Sequence, residues 1–147
     1  MIFIIALCIL CTDQLTKLLA SQNLLLNQSR PLIKGIFHLT LIHNRGAAFG
    51  ILKNQVQLFI FLSILAVILI YPALRNNKYK EYPFYNISLA LVLAGALGNL
   101  IDRLRLGYVI DFLDFRIWPV FNVADSAITI GAILLAWSML RSREKRA

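Results

Sequence analysis

The chain has 147 residues, of which 59% are hydrophobic and only 15% charged, with a mean hydropathy of +0.73. That composition excludes a soluble globular domain, and with it the nucleic-acid partner that a net charge of +8 would otherwise invite, since basic residues flanking apolar spans orient membrane proteins. The length suits one integral-membrane domain over residues 1–147, and two cysteines make no disulfide framework.

Four stretches reach the roughly 20 residues that cross a bilayer. The first, Met1 to about Ala20, has neither the basic n-region nor the small-residue cleavage site of a secretory signal, and Leu7 is too bulky for a lipid-attachment box in "IALC". It therefore reads as a retained span, with Cys8 and Cys11 as packing residues. Within it Asp13 and Lys17 lie four apart on one helix face and can pair.

A long segment follows, about 21–55, and its part from about 30 to 55 is expected to form a small β-cradle. In "GIFHLTLIHNRGAAFGIL" the residues Phe37, Leu39 and Leu41 alternate with His38 and Thr40, which predicts a half-buried strand over Ile36 to Ile42. Asn44-Arg45-Gly46 supplies turn chemistry after it, and His38 and His43 read as interfacial strand residues. A loop of this length is usually functional.

The second span, about 56–74, carries no charge and so contributes no charged group to a site. "RNNKYKEYP" follows it. The third, about 84–106, has Gly95 and Gly98 for close helix packing, then Asn99, Asp102 and Arg103 near its end. Asp102 beside Arg103 and Arg105 has the look of a helix-end ion pair. The short loop 107–118, "GYVIDFLDF", carries Asp111 and Asp114, the latter expected as a solvated loop charge. The fourth span, about 119–140, has Asn122 and Asp125 near its start, where asparagine is a strong helix N-cap. "RSREKRA" ends the chain.

The dense basic charge of 75–80 and 141–146 predicts that these segments and both termini are cytoplasmic, with 21–55 and 107–118 outside. On that topology Asp13, Lys17, Asn99, Asp102, Arg103, Asn122 and Asp125 converge on one layer just inside the outer surface, with Asp111 and Asp114 of the short loop at the same level. Ionisable groups at such depth face a protein interior or an aqueous cavity. Two close carboxylates cannot both ionise easily, and such a pair can activate water with one member and protonate a leaving group with the other. An aspartyl hydrolase fits this pattern, and a small four-span transporter of protons or cations competes with it. No "HExxH" pattern or nearby cysteine points to a metal site, and no serine sits in a "GxSxG" context.

Five ordered blocks carry a resemblance that covers nearly the whole chain: "DQLTK" at 13–17, "HNRGAAFG" at 43–50, "GALGNLIDRL" at 95–104, "GYVIDF" at 107–112 and "FNVADSAI" at 121–128. Together they resemble the lipoprotein signal peptidase (signal peptidase II) family. The resemblance implies a mainly α membrane fold, a four-transmembrane-helix bundle with a small extracytoplasmic β-cradle. It also implies an aspartic endopeptidase that removes the signal peptide of diacylglyceryl-modified prolipoproteins, cutting before the lipidated cysteine. The implied catalytic pair is Asp111 and Asp125, although Asp102 with Asp125 is the rival pairing by depth. Asn44, Asn99, Arg103 and Asn122 match positions that hold substrate or the cyclic peptide inhibitor globomycin. Asp13, Lys17, Gly95, Asp102 and Ala124 match supporting positions. No metal or organic cofactor is expected. The implied location is the bacterial inner (cytoplasmic) membrane, multi-pass, with the site toward the outer leaflet and membrane lipid around it.

Overall fold

The computed structural model describes residues 2–46, 54–75 and 83–144. Among them the chain runs α1 (Ile2–Asn23), β1 (Ser29–Ile33), β2 (Phe37–Asn44), α2 (Val56–Arg75), α3 (Pro83–Leu106), β3 (Val109–Asp114) and α4 (Val123–Glu144). All four helices are long and apolar enough to cross a membrane. Their outward side chains are large and apolar, such as Leu7, Phe61, Ile68, Ile133 and Leu140, which water would penalise and lipid accepts. Cys8 and Cys11 lie exposed on this surface of α1 as free thiols.

α3 is the central helix, packed against α1, α2 and α4. More than half of its apolar stretch is buried (56%), whereas the apolar stretch of α2 is not buried at all. Small residues make that position possible. A Cβ on Gly95 would run into the Ala124 carbonyl oxygen, and one on Gly131 would sit 2.8 Å from the Ser88 carbonyl oxygen, so α3 and α4 touch through backbone. The expected packing role of Gly95 and Gly98 holds.

The three strands form one antiparallel sheet in the order β1-β2-β3. Ala20 and Leu24 at the end of α1 pack with Leu41, Ile110 and Phe112 in a buried cluster, fastening the sheet to the bundle. Burying each large side chain of this kind contributes about 1.5–3 kcal/mol. Between β2 and β3 the register runs Leu39↔Leu113 but Ile42↔Asp111, so β2 holds one extra residue, a β-bulge. α3 stops at Gly107, whose φ of +76° suits glycine and whose amide donates back to the Arg103 carbonyl at 3.1 Å. This helix-ending turn leads directly into β3.

The sheet departs from the sequence reading in three ways. The expected strand at 36–42 is β2 at 37–44. β1 was not anticipated: it is exposed throughout and contains Pro31, so it lacks an alternating pattern. The segment 107–118, read as a plain loop, holds β3, whose side chains are nearly all buried on both faces. The end of the "HNRGAAFG" block and most of the basic segment at 75–80 lie outside the described residues, as do 145–147.

Candidate active site

Lys17 is the hub of the polar layer, at 1% exposure. Its Nζ lies 2.9 Å from Asp13 Oδ2 and 2.9 Å from Asp102 Oδ2, and donates to Asn99 Oδ1 at 3.0 Å. The predicted Asp13–Lys17 pair is present. Asp102, by contrast, is buried and pairs with Lys17, not with a neighbouring arginine at the helix end. A desolvated cation this deep persists only with paired, hydrogen-bonded charges around it, and two carboxylates supply them.

Each of those carboxylates also holds a backbone amide from another element. Asp13 Oδ1 accepts the Ala124 N–H at 2.8 Å, and Asp102 Oδ2 accepts the Ile110 N–H at 3.1 Å. Ala124 immediately precedes Asp125, and Ile110 immediately precedes Asp111. The supporting carboxylates thereby clamp the residue before each candidate catalytic aspartate. Ala124 is wholly buried, where a larger side chain would separate α3 from α4.

Asn122 caps α4, its Oδ1 accepting the Asp125 amide at 2.8 Å, while its Nδ2 donates to Asp111 Oδ1 at 2.7 Å. The capping role and a site role thus coincide in one side chain. Asn44, carried into place by β2, donates from Nδ2 to Asp111 Oδ2 at 2.8 Å, and its Oδ1 takes the Gly46 amide at 2.9 Å. Asn99 donates from Nδ2 to Asp125 Oδ1 at 2.7 Å. Two carboxylates and three carboxamides from two helices and two strands therefore meet at one place. Burial first, and the Asp125 carboxylate second, push Asp111 up from the ordinary 3.8 to about 7, against the opposing effect of the Asn44 and Asn122 hydrogen bonds and of Lys17. Charge repulsion of this kind is what makes a carboxylate pair share a proton.

Asp125 opens onto a cavity of about 860 Å³ whose walls include Asn44, Phe59, Asn99, Arg103 and Trp118. Asp111 is only 1% exposed. The Arg103 guanidinium stacks 4.9 Å from the centre of the Phe59 ring, and its charge acts on Asp125, Asp111 and Asp102. α2, uncharged along its apolar length from 56 to 74, thus still supplies a wall and an aromatic seat for Arg103.

All residues singled out in the sequence as candidate site residues lie in this one network or against it: Gly95 touches Ala124, and Asp102, the rival partner for Asp125, is committed to Lys17. Asp114 is corrected. It is buried at 4% exposure, not solvated. Its burial is offset by hydrogen bonds from Thr40 at 2.6 Å and from the Arg116 amide and guanidinium at 2.8 and 3.0 Å, which leave it below the usual carboxylate range. His43 is half-buried and stacked on Tyr108 with centroids 3.9 Å apart; burial, and then the Arg45 charge, lower its pKa. Sequence reasoning missed Gln14, whose Nε2 bridges Asp13 Oδ2 and Asp102 Oδ1, each at 3.1 Å. Its one signal was its place inside the "DQLTK" block.

Comparison with known proteins bears on what this geometry serves. A family model described as signal peptidase (SPase) II matches residues 5–141. A lipoprotein signal peptidase of Moorella thermoacetica is 53% identical over 137 residues, spanning 93% of this chain and 91% of that protein. One from Halothermothrix orenii is 48% identical over 135 residues, 92% of each. A bacterial membrane enzyme solved in meso at 2.3 Å superposes with a TM-score of 0.91 at 32% identity, covering 99% of this chain and 91% of that one.

Proposed function

The chain belongs to the signal peptidase II family, a family of proteases that remove signal peptides from prolipoproteins, and from that premise we propose that it works as an aspartic endopeptidase with Asp111 and Asp125 as its catalytic pair. The observation that carries this reading is Asn122. One side chain hydrogen-bonds the carboxylate of Asp111 and caps the helix turn that bears Asp125, so the two carboxylates are held as one unit. The transporter alternative draws no support from relatives that are peptidases by name.

In the proposed reaction a water held between the two carboxylates attacks the scissile carbonyl. One carboxylate takes the water proton. The other hydrogen-bonds the carbonyl oxygen, and a proton from the pair goes to the leaving amine as the C–N bond breaks. An Asp111 carboxyl near 7 supports a pair that holds a single proton around neutral pH. Asn99, Arg103 and Asn122 fix the geometry of attack, with Asn44 presented by the cradle. The substrate class is the diacylglyceryl-modified prolipoprotein, cut before its lipidated cysteine. Its acyl chains stay in lipid beside the helices, where burial is worth about 0.8 kcal/mol per CH₂. Globomycin-type cyclic peptides occupy the same cavity. The site faces the outer leaflet of the bacterial inner membrane, with both termini in the cytoplasm.

Purified protein in detergent micelles is given a diacylglyceryl-prolipoprotein peptide with and without globomycin. Cleavage before the lipidated cysteine, blocked by globomycin, is expected. Asp111→Asn and Asp125→Asn each abolish it, because general acid–base roles are worth about 10²–10⁴-fold, and the double variant is no worse than either single because the pair acts as one unit. Full activity in stably folded Asp111→Asn overturns the pairing.

A further inference from the structure

We infer that Lys17 is a positioning residue for Asp125: by holding the carbonyl oxygen of Asn99, it decides which end of that amide faces the carboxylate. The inference rests on the proposed pairing of Asp111 with Asp125.

A carboxamide presents an acceptor at one corner and a two-hydrogen donor at the other, and only its neighbours determine which way round it sits. In each of the three amides at the site a donor-only group holds the oxygen, which turns the NH₂ toward a carboxylate. For Asn44 that group is the Gly46 N–H, and for Asn122 the Asp125 N–H. Both are backbone donors fixed by the local fold. For Asn99 it is an ammonium on another helix, Lys17 Nζ at 3.0 Å, with Asn122 Nδ2 as a longer second contact at 3.2 Å. The opposite corner of Asn99 then donates to Asp125 Oδ1 at 2.7 Å. Turned round, Asn99 would set its NH₂ against an ammonium and a second NH₂, and its oxygen against a carboxylate. Every contact would then pair like with like.

Lys17 is well placed to enforce this. Its three N–H bonds are all taken, by Asp13, Asp102 and Asn99. The two carboxylates more than offset its charge and tie it to α1 and α3. The third bond adds nothing to charge pairing, and its consequence lies at Asp125. A buried ammonium needs a partner for each of its three N–H groups, and here the third partner is the amide that faces Asp125.

The test removes all three charges together, so that no charge of the cluster is left buried alone. Lys17→Met alone strands two buried carboxylates. In Asp13→Asn/Lys17→Met/Asp102→Asn the carboxamide oxygens still receive the Ala124 and Ile110 amides, and residue 17 has no donor. Its counterpart with Lys17→Gln differs only in restoring a neutral donor. The expected result is that kcat of the methionine variant falls about 10²-fold, the scale of a misplaced catalytic geometry, with KM unchanged, and that the glutamine variant recovers most of it. Adding Asn99→Ala to the methionine variant costs nothing more, whereas Asn99→Ala in the native chain costs about the same 10²-fold. Equal turnover of the methionine and glutamine variants, or additive losses with Asn99→Ala, overturns the inference. Should the triple variants not accumulate, Lys17→Arg decides: it keeps charge and donors, so kcat within about tenfold of wild type supports the inference, and a loss as large as that of Asn99→Ala defeats it. Asp111→Asn and Asp125→Asn run alongside. If these retain activity the catalytic pairing itself is wrong, whereas if they are dead and the Lys17 comparison fails, only the positioning role falls.

Discussion

Gly98→Ala adds one methyl group at the point where the polar layer has no slack. A Cβ there would lie 2.6 Å from Asp13 Oδ2, 3.2 Å from Asp13 Cγ and 3.3 Å from the Ala124 Cβ. Asp13 cannot simply swing aside, because Oδ2 holds Lys17 at 2.9 Å and Oδ1 holds the Ala124 amide at 2.8 Å. Losing one charged hydrogen bond costs about 1.5–3 kcal/mol, overpacking adds about 1–3 kcal/mol, and alanine returns about 1 kcal/mol of helix propensity. The net loss is about 1.5–5 kcal/mol. Thermal unfolding in detergent micelles, followed by tryptophan fluorescence, reads it directly. In an Asp13→Ala background the same methyl should cost little, since the group it strikes is gone, and this non-additivity is the signature of a shared contact. A Gly98→Ala protein as stable and active as wild type, or one whose cost is unchanged without Asp13, refutes the reasoning.

Three shorter expectations accompany it. Because Asp111 is raised from 3.8 to about 7, its protonated form favours the fold; that contribution is whole below about pH 4 and is lost as pH rises through about 7, on the order of 4 kcal/mol in all. Wild-type stability should therefore decline across that window more steeply than that of Asp111→Asn, and parallel profiles would contradict it. Asp114→Asn should lower stability by about 1.5–3 kcal/mol through the Thr40 and Arg116 amide hydrogen bonds, with cleavage retained wherever the fold holds; unfolding at the wild-type temperature would count against this clasp. A reporter fused after Ala147 should be active only as a cytoplasmic fusion, and activity only outside would reverse the topology.

Much of this architecture was legible because lipid leaves few options. Four apolar runs of bilayer length can only be spans, and the charges inside them had to meet. β2 announced itself by alternation, since one face is buried. β3 did not, because "VIDFLD" is buried on both faces and carries two aspartates, so nothing alternates. β1 is exposed along its length and was equally silent. Asp114 was misjudged for a related reason: the hydroxyl that satisfies it belongs to Thr40, 74 residues away in the chain. Depth alone gathered the candidate residues but could not choose between Asp102 and Asp111 as the partner of Asp125. That choice rests on the family resemblance; the two differ in their surroundings, since Asp102 takes Lys17, Gln14 and the Ile110 amide, whereas Asp111 accepts from the Asn44 and Asn122 side chains.

The bond from Asp13 to the Ala124 amide joins the first helix to the last across 111 positions of sequence. A ribosome working from one end of the chain delivers α1 to the membrane before α4. Until α4 arrives, the Asp13 carboxylate that holds its first turn has nothing to grip. The polar layer therefore closes only once α4 has followed α1 into the membrane, so its assembly records the order of insertion.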